Sequence, residues 1–249
     1  MEKRGLKNKY RIILISIFII ICLIVLIYSL INIIGWKKDV DANKNIVEEI
    51  KENITIDEND DSIKIDFKSL KEQNSETIAY IKVNGTNIDH VVVKGNDNSY
   101  YLKHNFNKEY NIAGWIFADY HNKFDETDKN IVIFGHNTKD GSMFGTLKNV
   151  LDKSWQQNKD NLEITLITEK GQYKYQVFST YSITPEYYYI NTIFNSDDEY
   201  SKFINKIKSR SNYDYNVEVD SSDKVLTLSS CIGDGKKRVV VHSKLIENK

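Results

Sequence analysis

The chain has 249 residues, 41% of them hydrophobic and 12% aromatic, with a formal net charge of −1. That length suits one ordinary domain plus an appended segment, and the apolar and aromatic content excludes a disordered chain. The charge is unevenly laid out: Lys3, Arg4, Lys7, Lys9 and Arg11 stand against Glu2 alone, residues 12–34 carry no charge, and the body beyond is mildly acidic with no long basic run. Such a body excludes nucleic acid as an expected partner, because phosphate binding needs a basic face.

Residues 12–34 are almost continuous Ile, Leu, Val and Phe. At about 1.5 Å rise per residue, a helix of this length crosses a hydrocarbon core of about 30 Å. A cleaved signal peptide has an apolar region of about 7–15 residues that closes on small residues. This run is longer and closes on Leu30-Ile31-Asn32-Ile33-Ile34, so an uncleaved anchor is expected. The basic flank sets residues 1–11 as a cytoplasmic tail, with a single pass through the cell membrane and an extracellular body. Residues 37–54 read as a polar helix with Val40, Val47, Ile50 and Ile54 loosely on one face. Residues 55–66, with Asp57, Glu58, Asp60 and Asp61, read as an acidic linker. The expected division is therefore a tail (1–11), an anchor (12–34), a helical stalk with linker (35–66) and a folded domain (67–249).

From about residue 67 the signals are mainly those of strands. Thr77–Val83 and 88–93 flank Asn84-Gly85, a pair with strong hairpin preference. Further β-rich segments are 114–118, 130–134, 162–168, 172–183, 224–230 and 238–245. Eight strands is the number at which side chains fill a small barrel. Helices are expected at 143–157, from Met143, Leu147, Val150 and Leu151, and at Asp197–Ser209, which opens acidic and closes basic as the helix dipole favours. The fold expected is mainly β: a closed, mostly antiparallel eight-stranded barrel with inserted helices.

Of two cysteines, Cys22 lies in the apolar run and Cys231 is the sole thiol of the body, so no disulfide or Cys-x-x-Cys pair exists there. A lone Cys is either an inert core residue or a reactive thiol. Cys231 follows the apolar strand Lys224-Val225-Leu226-Thr227-Leu228-Ser229-Ser230 and borders the polar, glycine-rich Ile232-Gly233-Asp234-Gly235-Lys236-Lys237. The next strand opens with Arg238, and a short antiparallel connection returns that guanidinium to the Cys end. His136 ends another strand behind Gly135 and begins a polar loop; His90, His104, His121 and His242 have less of this character. Thiolate attack on a carbonyl needs a base for the thiol proton and a donor for the oxyanion. An imidazole and a fixed guanidinium supply both. Zinc on His121, His136 and Asp119 lacks tight ligand spacing. No metal or cofactor is expected.

Thr227-Leu228-Ser229-Ser230-Cys231 with Arg238 heading a Val-rich strand resembles the active-site signature of sortases, and Phe134-Gly135-His136-Asn137 is similar to their catalytic-histidine motif. The resemblance covers most of residues 75–246. Asn96-Asp97-Asn98-Ser99-Tyr100-Tyr101-Leu102, Gly114-Trp115-Ile116-Phe117-Ala118-Asp119-Tyr120, Gly141-Ser142-Met143-Phe144 and the 197–209 helix resemble class B. The resemblance implies a two-step transpeptidation. Cys231 would cleave a C-terminal sorting signal, resembling Asn-Pro-Gln-Thr-Asn, after its Thr, and a peptidoglycan-precursor amine would resolve the thioester. It implies His136 as general acid/base, Arg238 as clamp, Tyr189 and Ile190 as groove residues, and Asn105 and Ser230 as further contacts. Arg238 follows Cys231 by seven residues, a shorter loop than in several class B relatives, with Lys236 and Lys237 as alternative cations.

Three other readings compete. A pilus-polymerising class C enzyme would carry an Asp-Pro-aromatic lid and a second apolar segment toward the C-terminus, whereas the only proline is Pro185, after Thr184, and the last residues are polar. A non-catalytic wall-facing scaffold would keep the fold without an activated thiol. A plain cysteine protease would not pass the acyl group to an added amine.

Overall fold

The computed structural model describes residues 2–56, 63–125, 127–184, 186–232 and 236–248; of residues 2–9, Ile56, Cys231 and Ile232 it describes the backbone only. The chain forms two compact units, Met1–Ala42 and Asn43–Lys249. Helix α1 runs Glu2–Lys51. In the first unit its large apolar side chains between Ile12 and Ile34 are exposed, and α1 is long and apolar enough to cross a membrane. A helix apolar on every side has no polar face to turn toward water.

In the second unit, β1 (Ile54–Ile56) and β2 (Ile63–Ile65) form an antiparallel ribbon, so the ends of the expected linker pair with each other. Its acidic centre, residues 57–62, lies outside the described residues. Helix α2 (Phe67–Gln73) starts at Asp66, whose carboxylate accepts from the Ser69 amide at 3.1 Å, satisfying one of the orphan donors of a helix start. There follow β3 (Thr77–Val83), β4 (Asp89–Val93), β5 (Phe117–Ala118), β6 (Asn130–Gly135), α3 (Lys153–Gln157), β7 (Glu163–Thr168), β8 (Gly171–Ile183), α4 (Asp197–Ser209), β9 (Val225–Ile232) and β10 (Lys237–Asn248). Strands β3 to β10 close into a barrel in the order β10-β8-β7-β3-β4-β5-β6-β9. Its pairs are antiparallel except β4–β5 and β6–β9.

Local chemistry sets these elements. The β3–β4 connection turns at Gly85, whose φ of 68° glycine adopts without steric cost. Helix α4 has the expected bounds: Ser196 Oγ accepts from the Glu199 amide at 3.1 Å, acidic residues fill the first turn and lysines the last. Strands β9 and β10 bury both faces. Leu226, Leu228, Val239 and Val241 point into the barrel, while Val225 and Val240 pack outward with Tyr200, Phe203, Ile204 and Ile207 of α4. Burial on both sides is why these strands read as apolar runs rather than alternations.

Three elements differ from the sequence reading. The 114–118 strand shrinks to Phe117–Ala118, because Gly114 takes a φ of 59° and turns the chain just before it. The 143–157 helix divides into a 3₁₀ turn, Leu147–Leu151, and α3, with Asp152 extended between them and Met143 at a φ of 49°. Met143, Phe144, Leu147 and Val150 are all buried, so their spacing reported burial rather than a continuous helix. The polar helix at 37–54 is the end of α1, and in the second unit Ile46 and Ile50 enter the barrel's core cluster. Asn43 Nδ2 donates to Gly114 O at 2.9 Å, and Asn111 Nδ2 donates to Asn43 Oδ1 at 2.9 Å. The compact unit thus begins at Asn43, upstream of the residue 67 expected from composition.

Candidate active site

Strands β6, β9 and β10 lie side by side, and their register sets the site. Gly135 of β6 pairs with Ser230 of β9, so the next step of that parallel register brings His136 level with Cys231. On the other side Cys231 pairs directly with Arg238 of β10. Neighbouring strands lie about 4.7–4.9 Å apart, so His136, Cys231 and Arg238 stand in one row, at one end of three adjoining strands. Side chains alternate faces along a strand. Ser229, two residues before Cys231, and Phe134, two before His136, both line the same cleft, which puts the three positions on that face.

The cleft has a volume of about 340 Å³. Phe134, His136, Ser229 and Arg238 line its floor, while Tyr187, Tyr189 and Ile190 line a wall contributed by the β8–α4 connection. Asn98 and Leu102, from the β4–β5 connection, line it as well. His136 is half-buried, and its Nε2 lies 2.7 Å from Leu102 O. A carbonyl only accepts, so a neutral ring carries its proton on Nε2 and a lone pair on Nδ1. Gly114 backs the ring: a Cβ there would fall 2.9 Å from His136 Cδ2 and 2.5 Å from Tyr101 O. Any larger residue would displace the imidazole, and the Gly114 carbonyl is the one that Asn43 holds. Arg238 Nη1 donates to Lys237 O at 3.3 Å. Lys237 falls on the opposite face of β10 by alternation, so register brings Arg238 rather than Lys237 to the cleft.

The sequence-derived contacts divide. Tyr189 and Ile190 line the cleft, and Tyr189 OH bonds Ser229 Oγ at 3.1 Å. Asn105 does not line it: the side chain is buried, accepting from the Glu109 amide at 3.0 Å and donating to Glu109 Oε2 at 3.3 Å within its own turn. The cleft asparagine is Asn98, whose Nδ2 donates to Asp119 Oδ2 at 2.7 Å and whose Oδ1 accepts from the Tyr120 amide at 3.1 Å. Nothing local in the sequence separates Asn98 from Asn105. Ser230 is turned away as well. It is buried on the barrel side, and its Oγ has no hydrogen-bond partner among the described residues. Ser229 is the serine on the Cys231 face, and the period of two would have selected it.

The other histidines serve elsewhere. His121 Nδ1 pairs with Asp119 Oδ1 at 2.8 Å outside the cleft, and His104 stacks on Tyr100. His90 is buried edge-on to Trp115, and burial pushes it down to about 4. His242 is wholly buried and pushed down to about 3 by desolvation. Among the described residues no group of three His, Cys, Asp or Glu side chains gathers to hold a metal.

Comparison with known proteins gives the family. The sortase domain matches residues 81–246. Sortase B of Listeria monocytogenes is 33% identical over 226 residues, spanning 85% of this chain and 90% of that protein. The crystal structure of sortase B from Bacillus anthracis is similar with a TM-score of 0.74 at 34% identity, covering 84% of this chain and 99% of that chain. The X-ray structure of Clostridium perfringens sortase B gives 0.69 at 36%, covering 73% and 100%. The chain belongs to the sortase family. Within it the chain is of class B, a cysteine transpeptidase whose substrates are surface proteins bearing sorting signals.

Proposed function

We propose that the enzyme cleaves a C-terminal sorting signal resembling Asn-Pro-Gln-Thr-Asn after its Thr, and joins the new carboxyl end to an amine of a peptidoglycan precursor. The observation that supports this most is the row of His136, Cys231 and Arg238 across three neighbouring strands beside the cleft. A free thiol with a pKa of about 8.5 is only slightly ionised at neutral pH. In the proposed reaction His136 Nδ1 takes the Cys231 proton, the thiolate adds to the Thr carbonyl, and the guanidinium of Arg238 donates to the oxyanion. The C–N bond breaks, His136 returns its proton to the departing amine, and a thioester remains. The acceptor amine then adds to the thioester, loses a proton to His136 and expels the thiolate. Tyr189, Ile190 and Asn98 bound the groove in which the motif lies.

The class C reading is not favoured, because the class B relatives align over nearly their full length. Residues 12–34 of α1 are proposed as the membrane anchor, with the basic tail cytoplasmic and the enzyme domain outside the cell. Protease added to protoplasts should then digest the domain, and its protection would reverse the orientation.

Mass spectrometry of the enzyme with an Asn-Pro-Gln-Thr-Asn peptide tests the chemistry. A thioester adduct should form that an added amine discharges into a ligated product. Cys231→Ala should form no adduct while keeping the parent melting temperature. Turnover by that variant would overturn the mechanism, and discharge to water alone would make the enzyme a protease.

A further inference from the structure

Behind the cleft lies a polar circuit that the proposed chemistry does not use. Tyr188 OH donates to Tyr181 OH at 3.3 Å, and Tyr181 OH lies 2.9 Å from His242 Nε2. His242 Nδ1 lies 2.8 Å from Thr227 Oγ1, which donates to Asn130 Oδ1 at 2.7 Å. Asn130 Nδ2 then donates to Asn191 O at 2.8 Å. One tautomer satisfies every link. Because the Thr227 hydroxyl gives its proton to Asn130, it can only accept from His242 Nδ1–H, so Nε2 accepts from Tyr181. The circuit leaves the β8–α4 connection at Tyr188, crosses β8, β10, β9 and β6, and returns to that connection at Asn191. Between its two ends stand Tyr189 and Ile190, two of the residues that line the wall.

His242, Thr227 and Asn130 are fully buried, Tyr181 is buried and Tyr188 half-buried, while Asn191 at the far end is exposed and takes part through its backbone carbonyl. A polar network in the interior is stabilising only when each member is satisfied. Desolvation keeps His242 neutral, the form the circuit requires. Lys206 Nζ of α4 sits 3.8 Å from the Tyr188 ring centroid, and Arg210, the C-cap of that helix, pairs with Glu186 at 3.6 Å. The centre of the wall is a single 3₁₀ turn, Tyr188–Ile190, which among the described residues belongs to no strand ladder. Side chains rather than backbone pairing therefore hold it.

We infer that His242, through Tyr181 and Thr227, is a positioning residue that sets the substrate wall of the cleft against the strands that carry the reacting groups. The inference rests on the reading that a sorting peptide lies along that wall. Its role is distinct from packing, because the circuit demands a hydroxyl at Thr227 and both nitrogens at His242, not merely their volume.

Three variants of the full chain test it: Thr227→Val, Thr227→Ser and Tyr188→Phe. Valine keeps the shape of Thr227 and breaks two links, serine keeps the links and gives up a methyl group, and the phenylalanine removes only the outermost hydroxyl. With a fluorogenic Asn-Pro-Gln-Thr-Asn peptide, Tyr188→Phe should raise KM about three- to tenfold, the scale of one net hydrogen bond, and Thr227→Val, which breaks two, at least as much. Thr227→Ser should stay near the parent, and kcat should change less than KM in all three. Independently of turnover, hydrogen–deuterium exchange across residues 186–192 should speed up in Thr227→Val and Tyr188→Phe while β6, β9 and β10 keep their protection. A parent enzyme that ignores the peptide would sink the substrate reading, with the exchange data still deciding the inference. Unchanged exchange at 186–192, exchange raised equally through the strands, or Thr227→Ser faring worse than Thr227→Val would overturn it and leave these residues a packing role.

Discussion

The floor and the wall of the cleft are built by different physics. The floor is three hydrogen-bonded strands, in which the register Gly135↔Ser230 and Cys231↔Arg238 brings the chemical groups abreast. The wall is centred on one 3₁₀ turn whose place depends on the hydroxyls of Tyr188 and Tyr189 and on the Asn130 amide that donates to Asn191 O. A backbone ladder tolerates a change of side chain without moving, whereas a turn held by hydroxyls moves when one is lost. Floor substitutions should therefore change chemistry at constant stability, and wall substitutions should change substrate affinity.

The largest effect expected sharpens where the floor's support begins. A chain starting at residue 43 should melt like the parent's folded unit. One starting at residue 67 loses Ile46, Ile50 and the Asn43 bond to Gly114, the residue that backs His136. Burying a large aliphatic side chain contributes about 1.5–3 kcal/mol, so the shorter chain should lose about 3–6 kcal/mol in chemical denaturation. Equal stability of the two truncations would confine the floor's support to the barrel.

Arg238 separates charge from geometry on the floor itself. Removing an oxyanion donor costs about 10²–10³ in rate, or about 2.7–4 kcal/mol. Arg238→Ala should lose about that much in single-turnover acylation, and Arg238→Lys at least about tenfold, since an ammonium does not reproduce the planar fork. Melting temperatures should stay put. Parent-like acylation in Arg238→Lys would remove the clamp role and bring Lys236 forward.

Acid probes two buried histidines, His242 behind the wall and His90 on β4. His242 and His90 are pushed down to about 3 and about 4 in the fold, first by desolvation in each case, against about 6.5 unfolded. The unfolded chain therefore binds more protons below about pH 6.5, so their contribution is whole above that pH. It is lost as pH falls toward those folded values, at up to about 1.4 kcal/mol per pH unit for each histidine. His90→Leu should flatten the fall in melting temperature between pH 6.5 and 4.5 relative to the parent, and an unaltered slope would mean that His90 protonates freely in the fold. The smallest effect belongs to Tyr189→Phe, which removes the bond to Ser229 Oγ. It should raise KM for the sorting peptide about threefold or less with kcat unchanged. A kcat loss instead would assign the Tyr189 hydroxyl to the chemistry.

Much of the floor was legible in the sequence. A Cys at the end of an apolar strand, an Arg opening the next strand and a His closing another are local signals, and the structure brings those strands together. The companions of the Cys were harder to read. Of the adjacent Ser229 and Ser230, only alternation with Cys231 tells which faces the cleft, and Ser230 faces the barrel. Between Asn98 and Asn105 no local rule chooses. The first meets the cleft because Asp119, 21 residues away, holds its amide there.

By itself the sequence determined the presence of the eight barrel strands, the closed barrel, the bounds of α4 and the chemical types that can transfer an acyl group, because periodicity, turn residues and caps act over a few positions. The tertiary structure decided the rest: the inclusion of residues 43–51 in the folded unit, the division of the 143–157 helix, the serine and asparagine that reach the cleft, and the polar circuit beneath its wall. Those depend on partners far apart in the chain, such as Thr227 and Asn130, 97 residues away. A buried hydroxyl and a buried amide find each other only once the strands that carry them have paired, because until then water satisfies both.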